Sequence, residues 1–317
     1  MSCNFFIFAA LIGFNPPFDM KFYSRFTYIL ILFGLLTVAS VRNLSAQKSE
    51  FGGCVGTMFY LGDLNQTKLF KLNLKDPTLN QLHLAGGFMY RYNISPRFAI
   101  KADFLFGKVS STDKGTDMAD RNFSFSSPIT EFSAEIELNF FELYNTTGKN
   151  RFSPYIFAGL TLFSFNPQTV YNNQVYDLHS MGTEGQGLEG GPKPYSLTTV
   201  AIPFGIGIKA TIGRYFAIGA EWGLRWAFTD YLDDVGGRYY DNDALRAEYG
   251  DLVADLADRS PEIINEQGEP LSRHVAGHAR GNETTHDAYS FAGITMTVKF
   301  GNEDRACRLK LPKRKKQ

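Results

Sequence analysis

The chain alternates between apolar and polar positions with a period of two residues over most of its length. The most informative segment is 289–300. Its two faces carry Ala292, Ile294, Met296, Val298 and Phe300 on one side and Gly293, Thr295, Thr297 and Lys299 on the other. This period is that of a β-strand, and about a dozen residues is the length of a tilted strand that crosses a bilayer. A strand of a soluble antiparallel sheet alternates in the same way, so the rest of the chain must decide between the two.

Seven more segments alternate in this way, which predicts eight strands in total. The predicted strands are 50–61, 81–92, 98–107, 131–140, 154–165, 200–211, 216–228 and 289–300. The connections after the second, fourth and sixth strands are short, whereas those after the other strands are long. An even strand number with short turns at one end and long loops at the other is typical of outer-membrane barrels. We therefore predict an all-β fold: an eight-stranded antiparallel transmembrane barrel of the outer membrane over 47–300, with long extracellular loops and periplasmic turns.

The side chains opposite the apolar rows predict what the barrel contains. A soluble lipocalin-like barrel would turn its apolar rows inward, but unbroken aromatic and aliphatic rows suit a surface that faces lipid. Side chains just fill the lumen of an eight-stranded barrel. We therefore expect an internal network of salt bridges instead of an open pore. Its predicted members are Lys101, Asp103, Glu135, Glu137, Lys209, Glu221, Arg225 and Lys299.

The last long connection carries a helical period. Its apolar positions are Leu245, Tyr249, Leu252, Val253 and Leu256. Asn242 or Asp243 can cap this segment, and Pro261 follows its end. We predict one short amphipathic helix, which either packs on its own loops or meets a partner.

The N-terminal 46 residues have the pattern of an export signal. A basic start at Lys21 and Arg25 precedes the apolar segment 26–39, and a small-residue cleavage site ends at Ala46. We expect an N-terminal extension plus a cleaved signal peptide, with translation starting at Met20 and export to the outer membrane. An uncleaved anchor is the alternative.

Composition excludes several classes of protein. The chain has 29 Phe and 16 Tyr among 317 residues, which favours β architecture. Its mean hydropathy is negative, which argues against a helical membrane protein. The formal net charge is zero, so no global field points to nucleic acid. Since no glycine-rich phosphate loop or paired-cysteine array occurs, we expect no cofactor.

Histidine and aspartate residues in the loops are the remaining candidates for chemistry. The candidate zinc ligands are His274, His278 and His286, and the candidate calcium ligands are Asp230, Asp233, Asp234, Asp241 and Asp243. Glycines around the histidines favour a loop, and the aspartates lack the spacing of an EF-hand. His179 and Ser180 could form a base and a nucleophile, but adjacent loop residues rarely orient one another. We expect no metal site and no enzyme, with a lipid-modifying barrel enzyme as the weakest alternative.

A basic tail, 301–317, follows the last predicted strand. In the predicted topology it lies in the periplasm, where it is either solvated or bound to a partner. The candidate partner-binding residues are Cys307, Arg308, Lys310 and Lys313. Cys307 could form a disulfide with a periplasmic protein. A disulfide to Cys54, on the lumen side of the first strand, would require the tail to fold back into the barrel.

Several segments together carry a family resemblance. They are GTMFYLGDL (56–64), FSPYIFAGL (152–160), FNP (165–167), TEGQGLEG (183–190), IPFGIGIK (202–209) and FTDYLDDV (228–235). In this order and spacing they resemble the PorG-like outer-membrane barrel family of Bacteroidota. The resemblance covers about 50–260, and nothing in 262–287 or in the tail contributes to it.

The resemblance implies a non-enzymatic role in the type IX secretion and gliding apparatus. Barrels of this family are thought to tie a periplasmic ring of lipoprotein and partner subunits to the outer membrane. Cys307 is suitably placed for a covalent link to such a lipoprotein, which the resemblance makes a hypothesis. The alternative is a free-standing small barrel for adhesion or envelope integrity.

Overall fold

The computed structural model describes residues 49–64, 82–143, 151–213, 215–272, 275–282 and 285–300. The strands are β1 Ser49–Leu61, β2 His83–Asn93, β3 Phe98–Thr112, β4 Ser124–Asn139, β5 Phe152–Phe165, β6 Gln168–Tyr171, β7 Gln174–Asp177, β8 Thr198–Ile212, β9 Phe216–Ala227 and β10 Ala288–Phe300. The helices are α1 Leu178–Met181, α2 Asn242–Tyr249 and α3 Asp251–Ala257, with 3₁₀ turns at Ala119–Arg121 and Ser260–Glu262. Among these residues no helix is long and apolar enough to cross a membrane.

Eight strands close into an antiparallel barrel. The ring runs β1, β2, β3, β4, β5, β8, β9, β10 and back to β1. Pairing between β1 and β10 closes it in continuous register, from Ser49 opposite Phe300 to Leu61 opposite Ala288. The hairpin β6–β7 stands outside the ring and joins β4 through the single pair Ser126 and Gln168. The predicted fold class is confirmed.

The outer surface of the barrel is a band of exposed apolar side chains. Ile136, Leu160 and Met296 are 62%, 67% and 63% exposed, although each lies within a strand of the barrel. Phenylalanines line the band at the end where β2–β3 and β8–β9 turn, which we call the turn end. They are Phe98, Phe140, Phe152, Phe216 and Phe300. An apolar band with an aromatic border is the lipid-facing surface of a membrane barrel.

The opposite end, which we call the loop end, extends further than the sequence pattern predicts. β3 continues to Thr112 and β4 begins at Ser124, so the predicted long connection between them shrinks to 113–123. Polarity inverts in these extensions, because Val109 and Phe125 point inward and are buried. The apolar row therefore changes face, and the period-two pattern breaks although the strand does not.

The long loops fold over the loop end into an ordered layer. We call the described parts of 62–64, 113–123, 166–197 and 228–287 the loop cap. The single helix predicted there is two helices, because Gly250 interrupts it with φ 91° and ψ 173°, a conformation that only glycine adopts readily. The capping residue is Asp241, whose side chain accepts from the Ala244 amide, and not Asn242 or Asp243. The hairpin β6–β7 and α1 were not predicted.

Candidate functional site: the filled lumen and the loop cap

Near the turn end the lumen is crossed by ion pairs. Arg91 Nη1 lies 3.0 Å from Glu50 Oε2, and its Nε lies 2.9 Å from Glu137 Oε1. Lys209 Nζ approaches the other oxygen of Glu137 at 2.6 Å. Lys299 faces Glu50 across the β1–β10 seam, since the two are register partners. These side chains tie β1, β2, β4, β8 and β10 together across the interior.

A second group of charges surrounds Lys101 in the middle of the barrel. Its ammonium lies 2.9 Å from Glu135 Oε2, 2.9 Å from Glu221 Oε2 and 3.2 Å from Asp103 Oδ2. The same ammonium lies 4.6 Å from the centre of the Phe157 ring. One cation thus bridges β3, β4 and β9.

A third group lies towards the loop end. The Arg225 Nη2 donates to Glu131 Oε1 at 3.0 Å, and the Tyr289 hydroxyl donates to the other oxygen of Glu131. The Arg225 guanidinium also lies 5.6 Å from the centre of the Phe291 ring. Here the charged layer of the lumen meets aromatic side chains.

Two aromatic side chains of β5 fill the space between these charges. An added Cβ would lie 2.3 Å from Tyr155 Cζ at Gly207, and 2.6 and 2.7 Å from Phe157 Cζ at Gly205 and Gly223. Glycines of β8 and β9 therefore form the surface on which both rings lie. The Tyr155 hydroxyl donates to Glu221 Oε2 at 2.9 Å. Side chains occupy the lumen from wall to wall at this level.

All eight charged residues predicted for the lumen are buried inside the barrel. The prediction omitted Glu50, Arg91 and Glu131, which lie among them. Their positions in the two-residue alternation could have identified them as lumen residues. Arg91, for example, lies between the lipid-side residues Tyr90 and Tyr92 of β2. Only the register between strands shows which charges meet, and a single strand does not reveal it.

Above the charged layer the interior becomes apolar. The cluster that joins barrel and cap includes Met58, Leu105, Val109, Phe123, Phe125, Ile129, Phe163, Phe165, Leu232, Val235, Leu256 and Phe291. At this height the inward face of the strands is apolar because it packs against the loop cap. The cap is therefore held by a hydrophobic core continuous with the lumen.

Tyr60 joins the end of β1 to the last loop through two carboxyl groups. Its hydroxyl contacts Asp233 Oδ2 at 2.6 Å and also Asp287 Oδ1, while it accepts from the Asp63 amide. A hydroxyl has one proton, so it can donate to only one of two carboxylates. Burial raises the pKa of both Asp233 and Asp287 well above its usual value, and the negative charges of Asp287 on Asp233 and of Asp230 on Asp287 add to the shift. One of these carboxyls therefore holds a proton and donates to the tyrosine oxygen.

A second polar cluster joins the loop 166–197 to the last loop. Asp234 accepts from the hydroxyls of Thr183 and Tyr195, and Arg280 donates to Glu184 Oε1 at 3.1 Å. All of these partners belong to the loop cap. Burial raises the pKa of Asp234 to about 6 even though Arg280 opposes the shift. The cluster fixes two long loops against each other.

Asp230 lies between these two clusters without a hydrogen bond from any described residue to its Oδ1. Burial, together with the negative charges of Asp63, Asp233 and Glu184, raises its pKa to about 8. At neutral pH this carboxyl is mostly protonated. The loop cap therefore holds more carboxyl groups than it can keep ionised.

A cavity of about 340 Å³ opens on the loop cap. Arg121 lies in its floor, and this side chain pairs bidentately with Asp113 and donates to the carbonyls of Asp63 and Arg280. The polar side chains at its rim are Asp117, Asp120, Tyr239, His278 and Asn282. Both arginines that line the cavity are engaged by the protein itself, so they order the loops.

The histidine and aspartate candidates form neither a metal site nor a catalytic pair within the described residues. His179 contacts the Tyr195 carbonyl and the Ser180 hydroxyl donates to the Asp177 carbonyl, so the two do not form a base and a nucleophile. His274 lies outside the described residues. No group of three or more histidine, cysteine or acidic residues within the described ranges is arranged to hold a metal ion.

The predicted partner-binding residues Cys307, Arg308, Lys310 and Lys313 lie outside the described residues, as do the predicted signal peptide and the tail. Cys54 is a buried free thiol on the lumen side of β1.

Comparison with known proteins places the chain in a family. A family model described as a domain of unknown function, DUF6089, matches residues 28–256. Among curated proteins no sequence matches the chain.

Solved structures similar to the chain are small bacterial barrels. The N-terminal β-barrel domain of Pseudomonas aeruginosa OprF has 9% identity and a TM-score of 0.33, covering 80% of this chain and 98% of that chain. Neisserial surface protein A has 8% identity and a TM-score of 0.38, covering 80% and 97%. The outer membrane protein OprG from Pseudomonas aeruginosa has 8% identity and a TM-score of 0.36, covering 81% and 99%. The strand pairing of this chain establishes the closed barrel independently.

Proposed function

We propose, on the premise that this chain belongs to the DUF6089 family of domains of unknown function, that it is a non-enzymatic structural barrel of the outer membrane. In this role the apolar band contacts membrane lipid, the loop cap faces outward, and the turn end, where β1 starts and β10 finishes, faces the periplasm.

The filled lumen is the observation that carries this proposal. Ion pairs centred on Arg91 and Lys101 cross the interior, and the rings of Tyr155 and Phe157 occupy the space between them. A transport function requires a water-filled path, whereas an anchor requires a rigid body in the membrane. Buried, mutually paired charges and close packing suit the second requirement.

We further propose that the partner is the periplasmic ring lipoprotein of the type IX secretion apparatus, as the PorG-like resemblance implies. Two segments of that resemblance, 183–190 and 228–235, contact each other in the loop cap through Thr183 and Asp234. This contact supports the view that the shared segments preserve one architecture. Attachment through Cys307 in the tail is the most specific form of the hypothesis.

Capture of partners from outer membranes, with and without reductant, tests the anchor role. We expect a covalent adduct that is lost on reduction and in Cys307→Ser, while Cys54→Ser serves as the matched control and keeps the adduct. A partner that survives reduction would support a non-covalent anchor. Absence of any partner in both conditions would contradict the anchor function.

A free-standing barrel for adhesion or envelope integrity is the second candidate, and the ordered loop cap favours it. Two long loops are fixed by buried contacts such as that between Arg280 and Glu184, which would present a preformed outer surface to a ligand. Deletion of the gene separates the two candidates. Loss of type IX secretion supports the anchor, whereas intact secretion with weaker adhesion or a leaky envelope supports the free-standing barrel.

A further inference from the structure

Carboxyl groups outnumber cations around Lys101. Its single ammonium is shared by Asp103, Glu135 and Glu221, and all four residues are at most 6% exposed. Asp103 and Glu135 are neighbours, because both contact the same nitrogen at 3.2 and 2.9 Å.

The surrounding groups do not supply the missing positive charge. On β9, Arg225 pairs with Glu131 of β4 at 3.0 Å. Towards the turn end, Arg91 of β2 and Lys209 of β8 both pair with Glu137 of β4. The charged groups nearest to Lys101 are thus committed elsewhere.

The three carboxyls differ in their hydrogen bonds. Glu221 accepts from Lys101 and from the Tyr155 hydroxyl of β5. Asp103 and Glu135, which are 2% and 1% exposed, contact the shared ammonium of Lys101 through one oxygen each. Their other oxygens, Asp103 Oδ1 and Glu135 Oε1, accept no hydrogen bond from any described residue. On β1, the buried thiol of Cys54 lies on the lumen side. A thiol is only a weak donor and does not replace the missing ones.

A buried carboxylate that shares its one cation with two others and keeps an oxygen without a donor is unfavourable, and the usual outcome is that it takes up a proton. Two carboxyl groups that share one site cannot both ionise at little cost. Protonation removes one negative charge and creates an O–H donor for the neighbouring carboxylate. We propose that Asp103 and Glu135 together bind a proton at neutral pH, so that the closed lumen contains a buried carboxylic acid.

Infrared spectroscopy of the folded barrel in detergent micelles at pH 7 tests this site through the carbonyl stretch of a protonated carboxyl. Asp230 and one of the two carboxyls Asp233 and Asp287 in the loop cap also contribute to that band, so the signal is the difference between wild type and variant. We expect Asp103→Asn and Glu135→Gln each to lose band intensity, because removing either group lets the other ionise beside Lys101. The matched control is Glu137→Gln, whose carboxylate has two cationic partners, and we expect no loss from it.

Band intensity that is unchanged in both folded variants would overturn the proposal, as would a loss of equal size in Glu137→Gln. Folding of each variant is verified by the shift in gel mobility between unheated and heated samples. Should a variant fail to fold, the wild-type protein still decides: a folded barrel with no acid band at pH 7 rules the proton out.

Discussion

Arg91 shows what a single buried cation does in this barrel. Its side chain is 2% exposed and holds two carboxylates, Glu50 and Glu137, which are themselves fully buried. Removing it takes one cation away from each of these two carboxylates in a place that water does not reach.

We therefore expect Arg91→Met to lower the free energy of unfolding by about 3–5 kcal/mol. The control is Arg97→Met, because Arg97 pairs with Glu142 at 3.5 Å with side chains 55% and 45% exposed, and such a pair contributes about 1 kcal/mol or less. Urea titration in micelles, followed by the fluorescence of the two tryptophans, measures both. Equal losses in the two variants would contradict this account.

Gly207 is required because the Tyr155 ring lies on it. A Cβ at this position would stand 2.3 Å from Tyr155 Cζ, so we expect Gly207→Ala to destabilise the barrel by about 1–3 kcal/mol through overpacking. The same substitution in a Tyr155→Ala background should cost much less, since the clashing ring is gone. The same cost in both backgrounds, measured by the same titration, would show that the ring is not the cause.

At the scale of elements, the sequence pattern predicts strands well where one face meets lipid. It fails in 108–112 and 124–130, where the outside of the barrel meets water and the inside meets the loop cap. Val109 and Phe125 point inward there, so the apolar row shifts by one residue and the pattern predicts a loop where the strand continues. The contacts that hold the cap on the barrel cannot be predicted from the sequence either. Tyr60 and Asp287, for example, are 227 positions apart, and no local pattern joins them.

The helix α2 begins at the side chain of Asp241, which accepts from the Ala244 amide at 2.9 Å. We expect Asp241→Ala to weaken this helix by about 1 kcal/mol. Amide hydrogen exchange should become faster in 242–249 and stay unchanged in the barrel strands. Asp243→Ala is the control, since Asp243 lies in the first turn without capping it, and it should have the smaller effect. Faster exchange throughout the barrel would contradict a local role.

At the scale of the whole molecule, the loop cap and the barrel should respond differently to pH. The pKa of Asp234 is raised to about 6 and that of Asp230 to about 8, so both stabilise the cap as neutral acids. This stabilisation is complete below the unfolded value of about 4 and is lost as the pH rises through about 6 and 8.

We therefore expect limited proteolysis within 228–287 to become faster as the pH rises from about 5 to about 9, the range that spans the two raised pKa values. The strands should stay protected. Asp230→Asn keeps a neutral side chain at every pH and should reduce the upper part of this change. Cleavage that is independent of pH, or that slows as the pH rises, would contradict the assigned protonation states.

The filled lumen predicts that the barrel does not conduct ions. In planar lipid bilayers we expect the wild-type barrel to show no steady conductance, because the ion pairs around Lys101 and the rings of Tyr155 and Phe157 occupy the interior. An open porin of known conductance serves as the positive control for insertion. Stable channel steps from the purified, folded protein would contradict the structural role.

The seam between β1 and β10 has a consequence for how the protein folds. It pairs Ser49 with Phe300, so the barrel closes only when the two strands that are farthest apart in the sequence meet. Contacts of such long sequence separation make folding slow. Until that meeting, both outer strands present unpaired backbone edges that attract other chains. Such a chain needs protection from aggregation between its synthesis and the closure of its barrel. That protection is no longer needed once β10 pairs with β1.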